Sequence, residues 1–177
     1  VDKINFWFVV KILRIQKISE IKSGEKMRTS SQSVENILGQ KTFAVVGVSR
    51  NGKKFGNAIY KEMKKKGYRV FAVNSYAGEI EGEKCFASLK DLPEKPGAVI
   101  LSVKPSETEK VVREAFDCGI KNIWMQQGSE SEEAVKFCRE NNINEVHKEC
   151  FLMFANPVDS VHKFHRFIWK VLGKLPN

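Results

Sequence analysis

Residues 44 to 56, A-V-V-G-V-S-R-N-G-K-K-F-G, hold the clearest chemistry in this sequence. An apolar run from Phe43 to Val48 enters a turn containing Gly47, Ser49, Arg50, Asn51, Gly52, Lys53 and Lys54, and a helical pattern follows. Backbone N–H groups at such a junction point at an anion, and the helix dipole favours negative charge, so the spacing predicts a phosphate site. Other apolar runs end in Asn74-Ser75-Tyr76, in Ser102 to Pro105 with Lys104 between, and in Gln126-Gln127-Gly128. These residues are small, polar or kinked and bring no cluster of acids or nucleophiles. They suit a binding surface better than a reaction centre.

The phosphate could belong to a nicotinamide dinucleotide, a flavin or coenzyme A. Gly47-x-Ser49-x-x-Gly52 follows the dinucleotide turn, with Ser49 where a second glycine lets backbone approach the pyrophosphate. The acid that binds a ribose 2′-hydroxyl is replaced by Asn74 at the end of the second run. NADP stays open as the alternative, an NADP-dependent oxidoreductase, because Lys53 or Lys54 could meet a 2′-phosphate. No catalytic Tyr-x-x-x-Lys pair or other acid–base residue stands at the strand ends. Coenzyme A carries a pyrophosphate and a ribose 3′-phosphate, so it needs cations as well as amides. Arg50, Lys53 and Lys54, with the amides of Ser49 to Gly52, meet that need. Asn74, Ser102 and Gln126 are expected to frame the nucleoside.

The elements that must position these residues alternate. Strands are expected at 42–49, 69–73, 98–103, 122–125 and 144–147, with a short edge strand at 84–86. Helices are expected at 55–66, from a capping box of Ser106 and Glu109 to Cys118, and from a second box of Ser129 and Glu132 to about Asn141. Strands separated by helices, with uninterrupted apolar runs, predict an α/β fold. The expected sheet is parallel and doubly wound, Rossmann-like, with about five main strands and an extra C-terminal helix.

Residues 27–155 form the expected domain, opened by a short helix ending at Gly39. Residues 156–177 form the extra amphipathic helix, capped by Asn156 with Pro157 in its first turn, and packing on the domain or joining a homodimer. Asp159, His162 and His165 on it fall short of a metal site, and surface or interface histidines are expected. Residues 1–26 look foreign. Their apolar stretch ends at Lys11, far below the roughly 20 residues of a membrane span. The expectation is translated upstream sequence ahead of a natural start at Met27, with a membrane-surface arm as the alternative.

The formal charge is +9 over 177 residues. Seven basic residues face one acid between Lys53 and Arg69; Lys64, Lys65 and Lys66 read as a solvated helix end. Nucleic-acid binding is disfavoured, since neither stacking aromatics in an RNA-binding pattern nor a sustained basic stripe is present. Four cysteines without C-x-x-C spacing suit a reducing cytoplasm. Cys85 and Cys150 read as small buried residues, with a mixed disulfide to a ligand thiol as the alternative.

F-A-V-V-G-V-S-R-N, G-Y-R-V-F-A-V-N, G-E-I-E-G-E-K-C-F-A-S-L-K-D-L-P and I-W-M-Q-Q-G resemble the small stand-alone CoA-binding domain proteins. These are similar to the amino-terminal CoA-binding domain of the succinyl-CoA synthetase α subunit. The resemblance runs from about Lys41 to Phe154. It implies a Rossmann-like sheet and coenzyme A or acyl-CoA as ligand. It implies contacts at Ser49 to Gly52, at Ser102, Lys104 and Pro105, and before the glycine that follows Gln126 and Gln127. A synthetase lysine after strand two has no equivalent, because Tyr76-Ala77-Gly78 stands there. The synthetase's catalytic histidine belongs to a second domain that nothing here matches. The expected protein is a cytoplasmic, prokaryotic, non-catalytic binder or sensor of a small nucleotide ligand.

Overall fold

The structure is a computed structural model and describes residues 29–155. The expectations for residues 1–26 and for the helix at 156–177, with Asp159, His162 and His165, lie outside the described residues. In chain order the elements are α1 (Ser31–Leu38), β1 (Thr42–Val46), α2 (Phe55–Lys65), β2 (Arg69–Val73), β3 (Glu79–Ile80) and β4 (Glu83–Phe86). They continue with β5 (Ala98–Leu101), α3 (Pro105–Asp117), β6 (Asn122–Gln126), α4 (Glu132–Glu140) and β7 (Asn144–Glu149). Single 3-10 turns cover Leu89–Asp91 and Phe151–Met153.

The strands form one sheet in the order β3-β4-β2-β1-β5-β6-β7. All neighbours pair parallel except β3 with β4. Without β3 this is the doubly wound order of a Rossmann-like sheet, whose direction of winding reverses between β1 and β5. Alternate strand residues supply two cores. Phe43, Val45, Ile100 and Trp124 pack with Val34 and Ile37 of α1 and Ile59 and Met63 of α2. Ala44, Val46, Leu101 and Met125 pack with Val112 and Ala115 of α3 and Ala134 and Cys138 of α4. Both faces are thus covered by helices, which is why these strands read as unbroken apolar runs.

Local chemistry moves several boundaries. β1 stops at Val46, since Gly47 at φ 104° leaves extended geometry. Glu79–Ile80 and Glu83–Phe86 form a hairpin through Glu81 and Gly82, both at positive φ, as a tight two-residue turn requires. Its two-residue first strand is too short to carry a hydrophobic period. Neither expected capping box forms. Pro105 fixes φ and lacks an N–H, so it opens α3 with Lys104 as cap, and Ser106 lies inside the helix. Ser129 is buried, its amide bonded to the Gln126 carbonyl at 2.7 Å. Ser131 caps α4 instead, its hydroxyl oxygen accepting from the Ala134 amide at 3.2 Å.

Candidate functional site

The carboxyl ends of β1 and β5 meet where the winding reverses, and two glycines make the contact. A Cβ on Gly47 would lie 2.1 Å from the Ser102 carbonyl oxygen. A Cβ on Gly56 would lie 2.7 Å from the Gly47 carbonyl oxygen. Gly47 therefore lets β1 close on β5, and Gly56 lets the first turn of α2 close on β1. In the dinucleotide fingerprint the third glycine performs that helix packing. The sequence match put Gly52 in that role; here Gly52 stands at the loop tip at φ 68°, with only the Glu81 carboxylate 3.9 Å from where its Cβ would be. The loop between strand and helix is longer than the fingerprint frame.

Buried Asn57 holds this loop from inside. Its Oδ1 accepts from the Ser49 amide at 2.9 Å and its Nδ2 donates to the Ser49 carbonyl at 2.9 Å. The Ser49 hydroxyl donates to Asn51 Oδ1 at 2.7 Å, which also accepts from the Lys53 amide at 3.2 Å. The Gly52 amide donates to the Ser49 carbonyl at 3.1 Å. The expectation that amides of Ser49 to Gly52 all face a ligand is thus corrected: those of Ser49 and Gly52 serve the turn itself. Lys54 caps α2 without a side-chain hydrogen bond, and among the described residues the amides of Phe55 and Gly56 have no acceptor. These two amides form the positive end of an eleven-residue helix.

Arg50, Lys53 and Lys54 surround that helix end, all exposed, and no ion pair engages them among the described residues. The lysines farther along differ. Lys61 pairs with Glu81 at 3.0 Å and Lys64 with Glu83 at 2.8 Å. Lys66 is nearly buried and donates to the Ala155 carbonyl at 2.6 Å. Charge near Glu83 is thus matched, whereas charge at the turn is left open.

A cleft of about 1450 Å³ lies over the strand ends. It runs from Lys54 and Phe55 past Ser102 to Gly128, and along α3 as far as Asp117. Of the expected site residues, Gly47, Lys54, Asn74, Ser102, Lys104 and Pro105 line it. Ser49, Arg50, Asn51, Gly52 and Lys53 stand on the neighbouring turn, outside its lining. Asn74 ties two site loops together, its Nδ2 donating to the Val48 carbonyl and its Oδ1 accepting from the Tyr76 amide at 2.7 Å. Gln126 is buried, its Oε1 accepting from the Phe151 amide at 3.1 Å, and it does not reach the cleft. Gln127 is exposed beyond the lining, with its amide bonded to the Glu149 carbonyl.

Sequence reasoning placed Tyr76 in a strand-end run without naming it as a ligand contact, and missed Phe55 as a cleft residue. They are the two exposed large hydrophobic residues among those described. It also missed Gly56 and Asn57. The signal for Gly56 was in the sequence, as a second small residue at the start of the helical pattern. Burial raises the thiol pKa of Cys85 and Cys150, and pushes that of Cys138 up to about 12. These are protonated thiols at neutral pH and poor nucleophiles. Beyond the cleft, β7 carries a buried polar chain. Arg139 pairs with Glu145 at 3.0 Å, and Glu145 meets His147 Nδ1 at 2.7 Å. Burial pushes the Glu149 carboxyl up to about 7, opposed by His147, and Glu149 Oε2 has no hydrogen-bond partner among the described residues.

Comparison with known proteins adds the family dimension. A family model described as "CoA binding domain" matches residues 41–156. The α subunit of an ADP-forming acetate–CoA ligase II from Pyrococcus furiosus is 30% identical over 81 residues, 45% of this chain and 18% of the ligase subunit. An ADP-forming acetate–CoA ligase II from Archaeoglobus fulgidus is 29% identical over 120 residues, 66% of this chain and 18% of that protein. The chain thus spans under a fifth of these relatives. Small proteins match along their length. A hypothetical protein from Pyrococcus horikoshii OT3 superposes with a TM-score of 0.68 at 30% identity, covering 76% of this chain and 98% of its own. A conserved hypothetical protein from Pyrococcus furiosus gives 0.60 at 36% identity, covering 62% and 95%.

Proposed function

This chain belongs to the CoA binding domain family, and on that premise we propose that it binds coenzyme A or an acyl-CoA at the cleft between β1 and β5. The role proposed is recognition without catalysis, in the cytoplasm, as a binding or sensing protein. The observation that carries the reading is the set of exposed cations Arg50, Lys53 and Lys54, unpaired among the described residues, beside the open amides of Phe55 and Gly56. Backbone donors and dipole suit a pyrophosphate, and the adjoining cations suit a further phosphate. Ser102, Lys104 and Pro105 line the same cleft from the end of β5 and the start of α3. The relatives named as acetate–CoA ligases support the same ligand. Their chemistry is not proposed for this chain, whose described strand ends offer a binding surface with no cluster of nucleophiles.

Isothermal titration with coenzyme A, and in parallel with NADP, tests the reading. Saturable binding of coenzyme A with NADP much weaker is the expected result. The Lys53→Glu, Lys54→Glu double variant is expected to weaken coenzyme A binding by about a hundred-fold or more, since each charge-assisted contact is worth roughly 1.5–3 kcal/mol. Its melting temperature should stay near wild type because both side chains are exposed. Equal affinity of the double variant would remove these lysines from the site.

A further inference from the structure

Two observations about the cleft stand apart from its phosphate chemistry. Tyr76 is 82% exposed and Phe55 44% exposed, and no other large hydrophobic residue among those described is exposed. Single exposed apolar side chains need no explanation when they are scattered. These two are not scattered. Both line the same cleft, and Lys54 lines it beside Phe55. Their backbones are also linked: the Asn74 side chain accepts from the Tyr76 amide and donates to the Val48 carbonyl, which leads into the turn before Phe55. Phe55 sits at the first helical position of α2, the end whose amides are open. A flat apolar group attached to phosphates would find two rings, a cation and the open end of α2 along one cleft.

We propose that Tyr76, with Phe55, forms a stacking subsite for the aromatic base of the nucleotide ligand, the adenine of coenzyme A. The inference rests on the coenzyme A reading and assigns these residues a specificity role within it. Stacking needs the ring and not the phenol hydroxyl, because the aromatic face supplies the contact. Tyr76 is suited to this: its backbone is fixed by Asn74 while its side chain stands free of the core. Lys54 then lies where the phosphates leave the nucleoside.

The test is titration of wild type, Tyr76→Ala, Tyr76→Phe and Tyr76→Trp with coenzyme A and with adenosine 3′,5′-bisphosphate. Base–aromatic stacking is typically worth roughly 1–3 kcal/mol, so Tyr76→Ala should weaken both ligands by about five-fold or more. Tyr76→Phe should stay within about two-fold of wild type, and Tyr76→Trp should bind at least as tightly. Thermal melts should coincide, since the side chain is mostly in solvent. Unchanged affinity in Tyr76→Ala, while wild type binds coenzyme A, overturns the stacking alone. Equal weakening in Tyr76→Ala and Tyr76→Phe also overturns it, by assigning the effect to the hydroxyl. Wild-type protein that binds neither ligand overturns the coenzyme A reading and the subsite together.

Discussion

The carboxyl ends of β1 and β6 lie on the same edge of one sheet and treat their polar groups in opposite ways. After β1 the chain turns outward. Arg50, Lys53 and Lys54 are exposed and, among the described residues, unpaired, and α2 starts without a side-chain cap. After β6 the chain closes on itself. Gln126 is buried against the Phe151 amide, while the Gln127 amide and Trp124 Nε1 both donate to the Glu149 carbonyl. Buried polar groups are retained when they are bonded, and open ones are affordable only where water or a ligand reaches them. The strand-end rule for doubly wound sheets therefore names positions, and packing decides which of them face the crevice.

That contrast is sharpest at Gly47, where the expected effect is largest. Gly47→Ala would drive a Cβ into the Ser102 carbonyl at positive φ, and we expect a loss of about 3 kcal/mol or more, seen as a shifted urea midpoint. A small shift would mean that β1 and β5 do not close as described. Asn57→Ala should remove about 2–3 kcal/mol, because the part-buried Ser49 amide and carbonyl both lose their partner, and coenzyme A binding should weaken with it. Full binding in this variant would show that the turn holds its shape without Asn57.

The closed side makes its own predictions. Glu149 titrates near pH 7 when folded, above its ordinary 4.5, because it is buried. The unfolded chain then holds fewer protons than the folded one between those values, so stability falls as pH rises from about 4.5 to 7. Glu149→Gln should remove that slope and stabilise the protein by about 1–3 kcal/mol at pH 8, with little difference at pH 4. Parallel denaturation curves at both pH values for the two proteins would contradict the burial of an uncompensated carboxyl. The smallest effect is expected at Gln126. Gln126→Ala should lower stability by about 1–2 kcal/mol and leave coenzyme A affinity within about two-fold. A large loss of affinity would put the β6 end back into the site.

Particular residues show how much was legible beforehand. The run Phe43 to Val46 and the glycines after it mark the strand and the turn that follows by their types alone. Ser106 and Ser129 fit the capping pattern equally well and are not caps. The pattern records only spacing, whereas the helix start is set by Pro105 in one case and by the burial of Ser129 in the other. Gln126 and Gln127 are neighbours in an apparently polar strand end, yet one is buried and one exposed. Nothing local distinguishes them, because Phe151 closes over Gln126 from 25 residues away.

The sequence by itself determined the alternation of the main strands and helices, the parallel sheet and a glycine-containing turn between β1 and α2. Those follow from hydrophobic period and backbone restrictions that act within a few residues. Only the tertiary structure decided that Gly56 performs the close packing assigned to Gly52, that Asn57 takes up the Ser49 amide, and that Tyr76 and Phe55 face one cleft. Those depend on which atoms of distant elements come within contact distance, and that is fixed when the two cores pack, not by the neighbours along the chain.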